Sequence, residues 1–160
     1  MEIRRAIFSD IPELKRLLLQ VGEVHHVIRP DIFRTGAIKY TDDALAELLK
    51  DENKPIWAAM EGETMLGYCF CQWRTIAGST VLTDRTELYI DDLCVDEENR
   101  GHGVASALYR FVCDYAKAQG CNFITLNVWC GNDSAMRFYE KMGLRPRNIM
   151  MDMPLEEVKC

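Results

Sequence analysis

No run of about 18 apolar residues occurs in this 160-residue chain, so no membrane-spanning helix is expected. The opening, Met1-Glu2-Ile3-Arg4-Arg5, lacks the apolar segment of a secretory leader. The seven cysteines form no CxxC pair, so neither a zinc site nor a thioredoxin-type motif is indicated, and no metal is expected. An odd, scattered set of thiols suits a reduced, cytoplasmic protein that uses cysteine as a small apolar residue. Basic charge is scarce: 19 Lys and Arg stand against 25 Asp and Glu, a net charge of −6. That balance argues against a nucleic-acid partner, which needs a basic face, and is compatible with a cationic one. No repeat, low-complexity tract or linker breaks the chain. One domain over residues 1–160 is therefore expected, long enough to bury a core without disulfides or metal.

What is present alternates between strand and helix patterns. Ile3 to Phe8 reads as a strand, and Ser9-Asp10-Ile11-Pro12-Glu13 as a helix start followed by Leu14, Leu17, Leu18 and Val21 at helical spacing. Residues 22 to 40 read as irregular. Thr41 is placed to cap a second helix with Leu45, Leu48 and Leu49 on one stripe. Residues 55–60 and 65–73 read as strands around the turn Glu61-Gly62-Glu63, and Glu87 to Val95 as another. Val104 to Gln119 is an amphipathic helix ended by Gly120. Phe123 to Val128 reads as a buried strand. A helix from Asp133 or Ser134 to about Gly143 follows, and then a last strand over 147–153. This order implies an α/β domain with a mixed sheet.

Three places carry chemistry. The first is Arg100-Gly101-His102-Gly103-Val104-Ala105, a turn with two glycines between a strand and a helix. Glycine lets main chain approach a ligand, and a helix start offers unpaired N–H groups and a positive dipole end, so together they can cradle phosphate. No lysine followed by Ser or Thr is present, which excludes a Walker loop. A plain strand-to-helix turn is the structural alternative. The second is Tyr139, which shares a stripe with Ala135, Phe138 and Met142. It is either a core residue or a cleft phenol, protonated at neutral pH and able to give a proton to a leaving thiolate. The third is Asp91-Asp92. Aspartate is unfavourable in strands, and a successive pair points to both faces. The pair implies a bulge or an opening in the sheet. It is either satisfied by hydrogen bonds or serves as a general base, with Glu87 a weaker third candidate. Cys94 and Cys130 lie near these strands, but no base or helix start beside either is legible, so packing is the better reading.

Two of these segments carry a family likeness. Arg100 to Ala105 resembles the acetyl-CoA signature, Arg/Gln-x-x-Gly-x-Gly/Ala, of the GNAT superfamily of N-acetyltransferases. Asn132 to Leu144 is similar to that superfamily's second motif, an asparagine before a helix reading Ala-x-x-Phe-Tyr-x-x-x-Gly-Phe, with Leu144 in place of the phenylalanine. The resemblance implies a GNAT fold: a mixed, mostly antiparallel sheet of six to seven strands, about four helices, and splayed central parallel strands.

It also implies a site with acetyl-CoA as cosubstrate. The amides of Arg100, Gly101, His102, Gly103, Val104 and Ala105 would hold the pyrophosphate, and Leu93-Cys94-Val95 would pair with the pantetheine arm. Asn127, Asn132 and Ser134 would stand nearby. Tyr139 would protonate the CoA sulfur, and Asp91 or Asp92 would serve the amine, Asp91 standing nine positions before Arg100 where some polyamine-type members carry an acid. His25, His26, Arg29, Asp31 and Phe33 would form the acceptor wall, a solvated loop with one buried histidine being the alternative, and Trp129 would line the gap or belong to the core. The implied activity is direct acetyl transfer to a primary amine, either a small cationic molecule or a peptide amine. A non-catalytic acyl-CoA sensor is the reading from another class. A homodimer through late strands is a further expectation, with Ile149, Met151 and Met153 alternating at an interface or in the core.

Overall fold

The computed structural model describes residues 1–155. Its sheet is built in chain order, β1-β2-β3-β4-β5, from Glu2–Arg5, Ile56–Glu61, Thr64–Ile76, Arg85–Val95 and Phe123–Leu126. The first four strands are antiparallel, and β4 pairs with β5 in parallel. Four α-helices accompany them: α1 (Ile11–Ile28), α2 (Asp42–Lys50), α3 (Val104–Ala118) and α4 (Asp133–Lys141).

The sheet separates two cores. On one face Leu14, Leu17 and Leu18 of α1 and Leu45 of α2 meet Tyr68 and Phe70 of β3. On the other, Leu108 and Val112 of α3 pack against Cys69 and Cys71 of β3 and Leu88 of β4. Successive strand side chains point to opposite faces, so β3 feeds both cores and reads as a nearly continuous apolar run. Each fully buried leucine contributes roughly 1.5–3 kcal/mol by leaving water. The cysteines are therefore packing residues in the main: Cys69, Cys71 and Cys94 are buried, and the six described thiols are all free.

Two expectations are corrected. Residues 22–28, read as irregular, are helical, because α1 continues to Ile28. The apolar stripe of Leu14, Leu17, Leu18 and Val21 runs on through positions 25 and 28, both half-buried. The helix stops where Pro30 forces Arg29 out of the helical region, to φ −137° and ψ 72°. The sheet also has five strands among the described residues, where six to seven were expected. The segment 147–153 alternates like a strand but forms none. Ile149, Met151 and Met153 are 80%, 88% and 65% exposed, so they are not core residues.

Ahead of α1, Asp10 is buried and takes both Arg4 nitrogens at 2.7 and 2.9 Å as well as the Ile7 N–H at 2.8 Å. Burial pushes this carboxyl's pKa up, but the Arg4 fork and the Ile7 amide outweigh it and hold it below the usual range. A carboxyl with a depressed folded-state pKa stabilises the protein above its unfolded value and loses that contribution as pH falls through the folded one. Asp10→Asn should thus lower the melting temperature at pH 7 and flatten its fall between neutral and strongly acid pH, as a calorimetric pH series would show.

Candidate active site

The site begins where two parallel strands part. β4 and β5 share four paired positions, from Glu87 opposite Phe123 to Ile90 opposite Leu126. β4 then continues to Val95, while the chain after Leu126 turns away toward α4. A cavity of about 460 Å³ opens in the gap, with Asp91, Asp92 and Leu93 on one side and Asn127, Trp129 and Tyr139 on the other.

The two aspartates owe their placement to a bulge. Phe70 pairs with Asp92 but its neighbour Cys71 pairs with Ile90, leaving Asp91 as the extra residue of β4. The bulge frees Asp91 from the ladder. Its Oδ2 lies 2.6 Å from the Lys39 ammonium and 3.2 Å from the Tyr40 hydroxyl, which donates to it. Asp92 sits deeper and accepts a hydrogen bond from the Tyr68 hydroxyl at 3.0 Å. Burial pulls its pKa up to about 6, against the opposing pull of Lys39 and the Tyr68 hydrogen bond. Glu87, the weaker third candidate, is locked: Arg85 and Arg147 both donate to its Oε1, at 2.7 and 2.8 Å, at the far end of β4.

Tyr139 reaches the cavity from α4, a helix begun by Asn132, whose side-chain oxygen accepts from the Ala135 N–H at 3.2 Å. Burial, and then the neighbouring Cys69 and Asp92, raise the phenol above its ordinary range, so it stays protonated. His25 meets Phe33 at a ring distance of 5.0 Å, and Phe33 meets Trp129 edge-on at 4.9 Å, forming one aromatic wall. Burial, reinforced by the Lys39 charge, lowers the His25 pKa and keeps the imidazole neutral at pH 7.

Beyond β4 comes the glycine turn. Gly101 and Gly103 have φ values of 82° and 84°, a left-handed conformation that other residues adopt at a cost. A Cβ built on either meets nothing within 4 Å, so the turn faces open space. The N–H groups of residues 101 to 106 have no hydrogen-bond partner among the described residues. They stand at the positive end of α3. Arg100 braces the turn by donating to the Val95 carbonyl at 3.3 Å.

The structure thus gathers Asp91, Asp92, Leu93, Asn127, Asn132, Tyr139, His25, Phe33 and Trp129 around one cavity. Others fall elsewhere. Cys94 and Val95 turn their side chains into the cores, leaving only main chain for a ligand. Burial pushes the Cys94 thiol up to about 12, and its Sγ faces the Leu17 carbonyl, which removes it as a nucleophile. Val104 is buried, Ala105 is half-buried and His102 is exposed. Ser134 is exposed on the first turn of α4, outside the cavity lining. His26 and Arg29 also lie outside that lining: His26 Nδ1 is 2.7 Å from the Phe33 carbonyl, and Arg29 pairs with Asp31 and Asp152. These contacts hold the chain after α1 rather than line the cavity. Sequence reasoning missed Lys39, Tyr40, Tyr68 and Tyr89, the last a cavity residue whose hydroxyl accepts from the Asn127 amide at 3.1 Å. The first two sit in an irregular loop, and the others look like ordinary strand aromatics.

A parted parallel strand pair followed by an open, amide-lined helix start offers a free strand edge and unpaired N–H groups. Residues 22–144 match the Acetyltransferase (GNAT) family. Thialysine N-epsilon-acetyltransferase of Bos taurus is 24% identical over 137 residues, 86% of this chain and 74% of that protein. N-alpha-acetyltransferase 30 of Schizosaccharomyces pombe is 30% identical over 87 residues, 54% of this chain and 55% of that protein. The crystal structure of a tetramutant of the BH1408 protein from Bacillus halodurans superposes with a TM-score of 0.92 at 30% identity, over 97% of this chain and all of that one. The chain belongs to the GNAT acetyltransferase family, enzymes that use acetyl-CoA as cosubstrate. The free amides at Gly101 to Ser106 and the gap beside β4 fit that cosubstrate.

Removing the Tyr68 hydroxyl takes away one of the hydrogen bonds that favour the charged form of Asp92, the Leu93 amide remaining. Tyr68→Phe should therefore raise the Asp92 pKa further above 6, measurable as a shifted carboxyl resonance in a carbon NMR titration.

Proposed function

We propose that the protein transfers an acetyl group from acetyl-CoA to a small cationic primary amine by direct attack. The observation that carries this reading is that β4, released from β5 after Ile90, runs on to Val95 with the unpaired amides of the glycine turn following it in the chain. In this reading the amides from Gly101 to Ala105 bind the pyrophosphate, and the β4 edge at Leu93 to Val95 pairs with the pantetheine arm. The acyl group then lies in the gap beside Asp92 and Tyr139.

The acceptor arrives as an ammonium ion, which has no lone pair. Asp92 takes its proton, directly or through water, while Asp91, paired with Lys39, stands at the entrance. The freed nitrogen forms the new C–N bond as the C–S bond breaks, and the departing sulfur takes a proton from Tyr139. Desolvation supports both assignments, since it lifts Asp92 toward neutrality and keeps Tyr139 a proton donor. The aromatic wall of His25, Phe33 and Trp129 suits a cation with an apolar stem. The name of the bovine relative, a thialysine acetyltransferase, points to the same substrate class.

The deciding experiment is a thiol-release screen of the purified chain with acetyl-CoA against diamines, amino sugars, lysine analogues and N-terminal peptides. Turnover of cationic small amines is expected. Turnover of peptides alone would make it a peptide acetyltransferase, and CoA binding with no turnover of any amine would make it a sensor.

Two measurements test the residue roles. Tyr139→Phe should lower turnover by about ten- to a thousandfold while calorimetric CoA affinity persists, the range of a general acid. The rate should also rise with pH through a limb near 6, as Asp92 loses its proton, and Asp92→Asn should abolish that limb.

A further inference from the structure

The Lys39 ammonium is held by a ready-made set of groups. Its Nζ lies 2.6 Å from Asp91 Oδ2 and 5.3 Å from the centre of the Tyr40 ring. The Tyr40 hydroxyl donates to the same carboxylate oxygen, which fixes that oxygen, and Tyr40 is itself stacked on Phe70 with 14° between the rings. A carboxylate with an aromatic face beside it is what recognises an ammonium ion. Asp91 is fixed in β4 and the Tyr40 ring packs against the core, and Asp91 and Lys39 line the cleft itself. Among the described residues, the Lys39 ammonium is held by its contacts with Asp91 and Tyr40 alone. Lys39 belongs to the irregular stretch between α1 and α2, and its side chain is 44% exposed. That stretch lies close on α1, where Gly22 leaves room: a Cβ there would stand 3.0 Å from the Ala37 carbonyl.

We propose that Lys39 is an internal occupant of the acceptor's remote cationic subsite, and that an acceptor with a second ammonium displaces it from Asp91 and Tyr40. This rests on the acetyltransferase reading and narrows it to amines with two cationic groups. The exchange leaves no charge unpaired in the cleft. One ammonium replaces another at Asp91, and Lys39 swings into water. A monoamine cannot make the exchange, since its only ammonium must go to the reacting position. Lys39 therefore sets selectivity by competition.

The test is calorimetric titration of 1,4-diaminobutane and of 1-aminobutane onto the CoA-bound protein. Lys39→Met should tighten the diamine by about fivefold or more and leave the monoamine within about twofold. Lys39→Arg keeps the competing charge and should match the unaltered protein. Asp91→Asn should erase the preference for the diamine. A diamine that binds Lys39→Met no more tightly, or more weakly, overturns the proposal, as does a diamine that binds none of the proteins. If Lys39→Met tightens both amines alike, Lys39 acts by blocking the mouth and the subsite assignment fails. CoA affinity, measured first on each protein, reports separately on the fold and on the cosubstrate site, so failure there falls on the parent reading.

Discussion

Everything in the cleft depends on the β4–β5 pairing ending after its fourth position. A parallel sheet normally continues until one strand runs out. Here β4 has 11 residues and β5 has four, so the edge of β4 from Asp91 onward is released from that neighbour. Its other edge stays bonded to β3 as far as Val95. The result is a rigid strand with one free ladder side, set in a wall that is otherwise packed on both faces. An exposed strand edge is a hazard unless something covers it. The parting also gives α4 its position, because the chain needs residues 127–132 to leave the sheet before the helix can start.

Electrostatics in the cleft follow from depth. Asp91, lifted out by the bulge, finds Lys39 and Tyr40 at the rim. Asp92, one residue on, lies in low-dielectric surroundings whose effect outweighs the Lys39 charge and the Tyr68 hydroxyl, and its proton affinity rises accordingly. Adjacent residues of the same type thus acquire different behaviour from one irregularity in pairing. The contrast with Glu87 is instructive. It lies on the same strand, yet two guanidiniums hold its charge, and desolvation alone does not decide its state.

Much of this was legible in the chain. Helices α2, α3 and α4 stand within two residues of the bounds that their caps and stripes implied, because Thr41, Gly120 and Asn132 act locally. The glycine turn was legible for the same reason: its geometry depends on Gly101 and Gly103 themselves. The bulge at Asp91 was foreshadowed by the poor fit of paired aspartates in a strand. What escaped depended on contacts far apart in sequence. Nothing near Lys39 reveals that Asp91, 52 residues later, is its partner. The run of α1 through Gly22 and the two histidines was hidden by a glycine that ordinarily signals a break, although the 3.6-residue stripe continued beneath it. The segment 147–153 shows the reverse failure, since alternation alone makes no strand without a ladder to join.

The aromatic wall has a consequence for how this cleft can change over time. His25 rides on the last turns of α1 and Phe33 on the stretch just beyond it, whereas the glycine turn, Asp92 and Tyr139 all lie between positions 92 and 139. Two of the wall's three rings are therefore written in an early stretch of the gene, while the third, Trp129, lies with the reacting groups in the later one. Drift in the earlier stretch could re-tailor what the pocket accepts while the later one stayed untouched, a modular inheritance in which one half of the chemistry is free to explore.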